Sequence, residues 1–186
     1  MKIIAGRFRG RTLRAPTGQN TRPTSQRTRQ IIFDHLMHAP WYGREALERA
    51  CILDGFAGTG ALGLEALSRG AKFASFIEKS RQAATILHDN VRACRVEDQT
   101  QILRCDTTNP PPARMKHNLV FLDPPYHKAL VPQALRALSQ KGWLAEKALI
   151  IAETEHQTED LLHEPEKLIL KRQIGIAEVR FWFHQG

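Results

Sequence analysis

The chain has 186 residues, of which 42% are hydrophobic, and this is sufficient for one domain with its own buried core. Three cysteines without a close pair in the sequence indicate neither a disulfide framework nor a zinc site. No apolar run approaches the roughly 20 residues that cross a bilayer, and the opening "MKIIAGRFRGRTL" lacks the apolar core of a secretory signal. We therefore expect a single compact unit that resides in the cytoplasm, away from membranes.

The formal net charge of +8 is concentrated at the start of the sequence. Residues 1–33 hold eight of the 27 basic residues and no Asp or Glu, so the remaining chain balances 19 basic against 19 acidic residues. This asymmetry is typical of a protein that contacts a phosphate backbone, although a solvated basic arm gives the same pattern. Phe8, within "RFRGR", could stack on a base, but we favour an anchor to the rest of the protein. The eight basic residues are Lys2, Arg7, Arg9, Arg11, Arg14, Arg22, Arg27 and Arg29.

The beginning of the chain is predicted to form a basic arm of strands followed by a helix. Alternating apolar and basic residues in "MKIIAGRFRGRTL" favour a strand. The stretch "RPTSQRTRQIIFDHLMHAP" predicts a helix that is capped by Thr24 or Ser25, ends before Pro40 and carries an apolar stripe. We interpret residues 1–40 as an RNA-contacting arm and residues 41–186 as the main domain, joined in one compact unit.

From Cys51 onward, short apolar runs alternate with helical stretches, which predicts an α/β fold with a mostly parallel sheet and helices on both faces. The segment "EKLILKRQIGIAEVRFWF" contains Gly175 between two apolar runs and predicts an antiparallel pair at the end of the sheet. The strands are predicted in "ACILD", "FASFIE", "TQILRC", "NLVFLD" and "ALIIAE", and the helices in "GALGLEALSRG", "SRQAATILHDNVRAC" and residues 128–140.

A glycine-rich stretch, "DGFAGTGALGLEAL", follows the first predicted strand of this pattern. Gly58, Gly60 and Gly63 have the G-x-G-x-x-G spacing, a weak signal alone, but they let a ligand approach backbone N–H groups closely. Glu78, eighteen residues after Gly60, ends the second strand, where an acid can bind both hydroxyls of a ribose. NAD and S-adenosylmethionine both fit these features. Acids lie at the ends of the first four of these strands, at Asp54, Glu78, Asp106 and Asp123.

The sequence "DPPY", Asp123 to Tyr126, separates these two cofactors because it is suited to holding an amino group of a base. The lone pair of such a nitrogen is delocalised into the ring, and hydrogen bonds from its N–H groups to the Asp123 carboxylate and the Pro124 carbonyl would aim it at a methyl group. Pro124 and Pro125 stiffen the loop, and Tyr126 would stack on a flipped base. The alternative is an Asx-type turn stiffened by proline, with Tyr126 in the core.

The chain resembles the bacterial RsmD-type 16S ribosomal RNA guanine-N2 methyltransferases over nearly its full length. The likeness rests on "IIAGRFRGRTL", "RPTSQRTRQIIFDHL", "LDGFAGTGALGLEALSRGA", "FIEKS", "VFLDPPY" and "GWLAEKALIIAE", in the order of that family. It implies a Rossmann-like class I fold that binds S-adenosylmethionine. It also implies N2-methylation of a guanine in a P-site hairpin loop of 16S RNA, within an assembled or nearly assembled small subunit.

The same resemblance implies roles for individual residues. The cofactor would contact Asp54, Phe56, Gly58 and Gly60 on its methionine side, Glu78 at the ribose and Asp106 at the adenine, although Asp106 could instead cap the following turn. The catalytic loop would be Asp123, Pro124, Pro125 and Tyr126. Arg22 to Thr24 would lie near the entrance of the site, and the RNA contacts would come from Arg7, Arg9, Arg11, Arg22, Thr24 and Arg27.

Other functions share parts of this pattern. DNA adenine-N6 methyltransferases also carry "DPPY", but they usually insert a recognition domain, and only 62 residues separate Gly60 from Asp123. Glutamine methyltransferases of translation factors more often carry Asn in place of Asp123. A non-catalytic RNA-binding or assembly factor could retain cofactor binding. No Cys or acid cluster joins His35 and His38, so we expect no metal, and we expect a monomer that transfers the methyl group directly.

Overall fold

The computed structural model describes residues 1–15, 25–125, 130–155 and 168–185. Within these residues, the helices are α1 (Gln26–His38), α2 (Gly43–Glu48), α3 (Ala61–Ser68), α4 (Arg81–Cys94) and α5 (Leu130–Gln140), with a 3-10 turn at Glu97–Gln99. The strands are β1 (Cys51–Gly55), β2 (Phe73–Ile77), β3 (Thr100–Leu103), β4 (His117–Leu122), β5 (Leu144–Glu155), β6 (Leu168–Ile174) and β7 (Ala177–Phe183). None of these described helices is both long and apolar enough to cross a membrane.

The described strands form one sheet in the order β3-β2-β1-β4-β5-β7-β6. The first five strands in chain order pair in parallel, whereas β7 is antiparallel to both β5 and β6. This arrangement confirms the predicted mostly parallel sheet with an antiparallel C-terminal pair. The order of the strands reverses between β1 and β4, and ligands of open α/β sheets bind at such a reversal, beyond the carboxyl ends of the strands.

Alternate side chains of each strand divide the core between the two faces of the sheet. Ile52 and Phe121 belong to a first hydrophobic cluster, which also contains buried side chains of α1, α2, α3 and α4. Leu53 and Leu122 belong to a second cluster, which is covered by Val131 and other side chains of α5. Helices therefore cover both faces, as the sequence predicted, with one helix on the second face among the described residues.

Serine side chains begin two of the helices where the sequence placed their starts. The Ser25 hydroxyl accepts a hydrogen bond from the Thr28 N–H at the start of α1. The Ser80 hydroxyl does the same for the Ala83 N–H at the start of α4. Of the two capping residues considered for α1, Thr24 lies outside the described residues and Ser25 makes the cap. Each cap satisfies a backbone donor that has no partner within its helix.

The strands predicted at the start of the chain are reduced to a short antiparallel pairing within residues 1–15. These residues form the N-terminal hairpin, which has a single antiparallel bridge between Lys2 and Thr12 and tight turns between them. The Ile4 and Ala5 N–H groups donate to the carboxylate of Glu65, at 2.7 and 3.0 Å. The N–H groups of Ile4 and Ala5, which take no part in the hydrogen bonds across the hairpin, are thus bound by a side chain of α3.

Candidate active site

Three of the predicted acids lie together at the carboxyl edge of the sheet. Asp54 is 2% exposed, and its Oδ2 accepts a hydrogen bond from the Gly63 N–H at 2.9 Å. Burial raises the pKa of Asp54 well above its usual value; the Gly63 hydrogen bond opposes this effect, and the carboxylates of Asp123 and Glu78 add to it. The structure therefore brings Asp54, Glu78 and Asp123 close enough for their charges to interact.

Glu78 holds the glycine-rich loop in place. Its Oε2 accepts a hydrogen bond from the Gly58 N–H at 2.7 Å, and its Oε1 accepts one from the Ser80 N–H at 2.6 Å. One carboxylate thus joins the loop after β1 to the start of α4. Each carboxylate oxygen has a second lone pair, so Glu78 can accept hydroxyl donors from a ligand while it keeps these backbone contacts.

The glycines of this loop serve two different purposes. A Cβ atom on Gly60 would lie 2.3 Å from Leu87 Cδ1, and one on Gly63 would lie 2.4 Å from Phe76 Cε1. These two glycines let α3 pack closely against β2 and α4. A Cβ on Gly58 would meet nothing within 4 Å, so the backbone of Gly58 borders open space that a ligand can occupy.

Phe56 has an uncommon backbone conformation for a residue with a side chain, with φ of 64°. Its N–H donates to the hydroxyl of Thr107 at 3.3 Å, and Thr107 is buried beside Gly55. Strained backbone of this kind is concentrated at ligand sites, where the surrounding structure maintains it. Sequence analysis missed Thr107, because a threonine in "CDTTNPPP" carries no recognisable signal.

Asp106 lies at the same edge of the sheet, and both of its carboxylate oxygens have protein partners. Oδ2 accepts from Lys79 Nζ at 2.6 Å, and Oδ1 accepts from the N–H and the hydroxyl of Thr108 at 2.9 and 2.7 Å. The hydrogen bond from Lys79, followed by those from Thr108, lowers the pKa of Asp106 to about 2. These contacts are the ones expected if Asp106 caps the turn that follows it. An adenine amino group that binds Asp106 would have to share the carboxylate with Lys79.

The first three residues of the predicted catalytic loop follow β4 directly. Gly55 pairs with Leu122 in the register of β1 and β4, so Asp123 begins its loop beside Phe56. Asp123 is half-buried, Pro124 is buried and Pro125 is exposed. Tyr126 lies outside the described residues, so its predicted stacking position stays a prediction. Among the residues that the structure describes, no group of His, Cys, Asp or Glu is arranged to hold a metal ion.

The N-terminal hairpin is fastened to the far end of α3. The Arg7 N–H donates to the Ser68 carbonyl at 2.8 Å, and the Phe8 N–H donates to the Ser68 hydroxyl at 3.0 Å. Ser68 is the last residue of α3, and eight helical residues rise by about 12 Å from the glycine loop to that end. Phe8 packs against the first hydrophobic cluster, which agrees with its interpretation as an anchor.

Three of the predicted RNA-contacting arginines therefore lie at the end of α3 that is far from the glycine-rich loop. Arg7, Arg9 and Arg11 are exposed on the hairpin, where Arg7 donates to the Gln99 side chain and Arg11 to the Ala93 carbonyl. These two contacts attach the hairpin to the end of α4. Arg27 is exposed in the first turn of α1, and Arg22 and Thr24 lie outside the described residues.

A separate open cleft of about 850 Å³ lies at the opposite edge of the sheet, where β4 and β5 begin. Its lining includes Lys116, Glu146, Lys147 and His184, and none of the predicted site residues. The acids and glycines that carry the proposed chemistry are all at the other edge, so this cleft is not the candidate active site.

Comparisons with known proteins identify relatives that match nearly the whole chain. The family described as Conserved hypothetical protein 95 matches residues 1–185. The chain is 34% identical to ribosomal RNA small subunit methyltransferase D of Haemophilus influenzae, over 98% of this chain and 93% of the relative. It is 36% identical to the protein of the same description from Escherichia coli, over 100% of this chain and 89% of the relative.

Solved structures share the whole architecture. The Escherichia coli protein yhhF superimposes with a TM-score of 0.82 at 32% identity, covering 100% of this chain and 98% of its own. An RNA methyltransferase from Salinibacter ruber in complex with S-adenosyl-L-homocysteine has a TM-score of 0.64 at 14% identity, covering 88% of this chain and 94% of its own. The sheet and its helices are thus those of the class I methyltransferases.

Proposed function

The chain belongs to the family described as Conserved hypothetical protein 95, which includes the small-subunit ribosomal RNA methyltransferases D, and we propose that it methylates the exocyclic N2 of a guanine in 16S ribosomal RNA. The methyl donor is S-adenosylmethionine. The substrate is the RNA of an assembled or nearly assembled small subunit, and the target lies in its P-site hairpin loop. The enzyme acts as a monomer in the cytoplasm, with residues 1–40 contacting RNA and residues 41–186 carrying the chemistry.

One observation carries this proposal: the Asp123 loop begins beside the glycine-rich loop that Glu78 holds. The register of β1 and β4 places the ends of both strands together, and the carboxylate of Asp123 is close enough to that of Asp54 to raise its pKa. A cofactor bound along the glycine loop would therefore present its reacting end to the loop that is suited to an amino group.

The residues present fit S-adenosylmethionine. Gly58 borders open space, Glu78 has acceptor capacity for ribose hydroxyls, and Asp106 presents carboxylate acceptors at the same edge, which it shares with Lys79 and Thr108. When bound, this cofactor supplies a methyl group on a positively charged sulfur. Asp54, which anchors the start of α3 through Gly63, fixes the loop against which the cofactor lies.

Asp123 and Pro124 hold the nucleophile in this proposal. The carboxylate of Asp123 and the carbonyl of Pro124 accept the two N–H groups of guanine N2, which directs the nitrogen lone pair at the methyl group. The rigid φ of Pro124 and Pro125 keeps the acceptors in place while the base enters. The amino nitrogen would take the methyl carbon as its bond to sulfur breaks and would then lose a proton to Asp123 or to water, so no covalent intermediate between enzyme and substrate is required.

The test is to incubate the protein with isotopically labelled S-adenosylmethionine and, separately, with unmodified small subunits, naked 16S RNA and duplex DNA. Digestion and mass spectrometry then identify the methylated nucleoside. N2-methylguanosine from small subunits supports the enzyme class, the atom and the substrate together. N6-methyladenine from DNA would replace the proposal with a DNA methyltransferase, and cofactor binding without any methyl transfer would replace it with a binding factor.

A further inference from the structure

We propose that Glu153, at the end of β5, selects guanine by accepting a hydrogen bond from its N1–H. This inference rests on the proposed function and names the residue that distinguishes guanine from the other bases with an amino group. Sequence analysis did not single out Glu153, because the run "ALIIAE" is a buried strand by its composition and the acid at its end has no motif around it.

The pairing of β4 with β5 places Glu153 beside Asp123. Phe121 pairs with Ile151 and Leu122 with Ala152 in a parallel register. If this register is continued by one residue, Asp123 lies next to Glu153. Neighbouring strands in a sheet are about 4.8 Å apart. Asp123 directly follows β4, and Glu153 is the third residue from the end of β5, so the two acids lie side by side at the edge where the candidate active site lies.

The faces of the sheet agree with this placement. Leu122 and Ala152 both belong to the second hydrophobic cluster, so the residues that follow them point to the first face. Val179 of β7, which is the pairing partner of Glu153, belongs to the first cluster. Asp54 also directs its carboxylate to this face, where it bonds to α3. Asp54, Asp123 and Glu153 thus share one face of the sheet at its carboxyl edge.

The chemistry of the bases explains what a second carboxylate does there. In adenine and cytosine, the ring nitrogen beside the amino group is a bare acceptor, whereas in guanine N2 is beside N1–H, which is a donor. A carboxylate next to the one that holds the amino group can therefore accept from guanine and would face a lone pair in the other two bases. A site built to bond a donor rejects analogues that lack it by large factors.

Burial strengthens the selection. Glu153 is 9% exposed. In such surroundings, water cannot supply a hydrogen bond to the carboxylate when it faces the bare ring nitrogen of a wrong base. A carboxylate has about four acceptor positions on its two oxygens, so Glu153 can accept from a base while it also makes a protein contact. The same burial means that Glu153 contributes to the structure, and the test has to separate that contribution from base selection.

The experiment compares two small-subunit substrates, one with guanine and one with 2-aminopurine at the methylated position. 2-Aminopurine keeps the amino group but replaces N1–H with a bare acceptor. We expect the wild-type protein to prefer guanine by at least about 100-fold in kcat/KM. Glu153→Gln, whose amide can donate to the bare nitrogen, should reduce this preference by about tenfold or more, with little change in affinity for S-adenosylmethionine.

Matched variants make the result decisive. Glu146→Gln removes an exposed acid from the other end of the same strand and should leave the preference unchanged. Glu153→Asp keeps the carboxylate, so it should retain the preference even if its rate is lower. If Glu153→Gln slows both substrates equally, Glu153 has only a structural role and the proposal falls. If the wild-type protein forms no N2-methylguanosine, the proposed function fails first and the inference falls with it.

Discussion

The carboxylates at the edge of the sheet differ in the contacts they make, and this difference predicts which step each one affects. Glu78 accepts backbone hydrogen bonds from the glycine-rich loop and from the start of α4, whereas Asp123 lies in the loop after β4. We expect Asp123→Ala to lower kcat by about 100- to 1000-fold, as loss of an oriented transition-state contact does. Its affinity for S-adenosylmethionine should change by no more than about threefold.

Glu78→Ala is the matched comparison for Asp123→Ala, because it should weaken S-adenosylmethionine binding first. Calorimetry measures the affinity for the cofactor, and single-turnover methylation of small subunits measures the chemical step. Loss of both binding and turnover in Asp123→Ala, with a lowered melting temperature, would show that Asp123 supports the fold and would contradict its catalytic role.

A buried histidine makes the stability of the protein depend on pH. His117 is fully buried between the Ser75 hydroxyl, at 2.8 Å from Nε2, and the Trp143 carbonyl, at 3.2 Å from Nδ1. Burial lowers its pKa to about 4, and the hydrogen bond to Trp143 opposes this effect. The folded protein thus binds this proton less readily than the unfolded chain, and the stabilisation is present above pH 6.5 and lost as the pH falls toward 4.

The His117 effect should amount to about 2 kcal/mol between pH 7 and pH 5. Urea unfolding of the wild-type protein and of His117→Gln at both pH values measures it, since other groups contribute equally to the two proteins. We expect the variant to be less stable at pH 7 but to lose less stability on acidification. Equal losses in both proteins would show that His117 does not have the lowered pKa.

At the scale of elements, α3 connects the glycine-rich loop after β1 to the N-terminal hairpin. Its first turn holds Asp54 through Gly63, and its last turns hold the hairpin through Glu65 and Ser68. Glu65 is 0% exposed and also pairs with the Arg69 guanidinium at 2.8 Å. A buried carboxylate that loses its partners is costly, so the hairpin and the helix are expected to stay docked as one unit.

Two hairpin glycines provide a test of this docking. Gly6 and Gly10 both have φ near +80°, but a Cβ on Gly6 would lie 1.8 Å from the Ser68 carbonyl oxygen, whereas one on Gly10 would contact nothing within 4 Å. Gly10→Ala should therefore cost only the left-handed strain of about 1–2 kcal/mol. Gly6→Ala should also undock the turn and cost at least about 3 kcal/mol, because the Glu65 carboxylate loses its backbone donors.

Hydrogen exchange at the Ile4 and Ala5 amides reports on this docking directly. In Gly6→Ala these amides should exchange rapidly, and in Gly10→Ala they should remain protected. If the two variants show the same protection, the close approach of Gly6 to Ser68 does not hold the hairpin in place.

The sequence predicted the parallel sheet and its helices because those elements are local patterns: apolar runs, serine caps and glycine stops. It also predicted the acids that end β1, β2 and β4, since the end of each apolar run marks the end of a strand. It did not predict how the hairpin is held, because Ile4 and Ala5 bond to Glu65, about sixty residues away in the chain. It also missed α2, a six-residue helix with one buried side chain, Leu47, whose short pattern carries little signal.

At the scale of the whole molecule, the basic residues of the first segment are not one uniform surface. Arg29 is 0% exposed and donates to the Lys2 carbonyl, and burial lowers its pKa while the charge of Glu65 raises it. Arg7 and Arg11 contact the body of the protein. Some of the positively charged residues of the first segment therefore hold the hairpin in place. Not all of the positive charge in that segment is free to bind a phosphate backbone.

Arg9 allows these two uses of the charge to be separated. It is exposed at the turn of the hairpin and takes no part in the contacts that Arg7 and Arg11 make. If the hairpin contacts RNA, Arg9→Gln should weaken binding to small subunits and reduce the slope of log K against log salt by about 0.7–0.9 for each phosphate that the variant no longer neutralises. Filter binding over a series of KCl concentrations measures this slope.

Arg44→Gln is the matched control for Arg9→Gln, because it removes the same charge from an exposed arginine on α2 that lies 3.6 Å from Glu48. We expect Arg44→Gln to leave the slope unchanged. Neutralising Arg7, Arg9 and Arg11 together should lower the slope further, but it also removes the hydrogen bonds to Gln99 and Ala93, so hydrogen exchange must confirm that the hairpin stays docked. If Arg9→Gln and Arg44→Gln give equal slopes, Arg9 makes no phosphate contact and the hairpin arginines serve the fold.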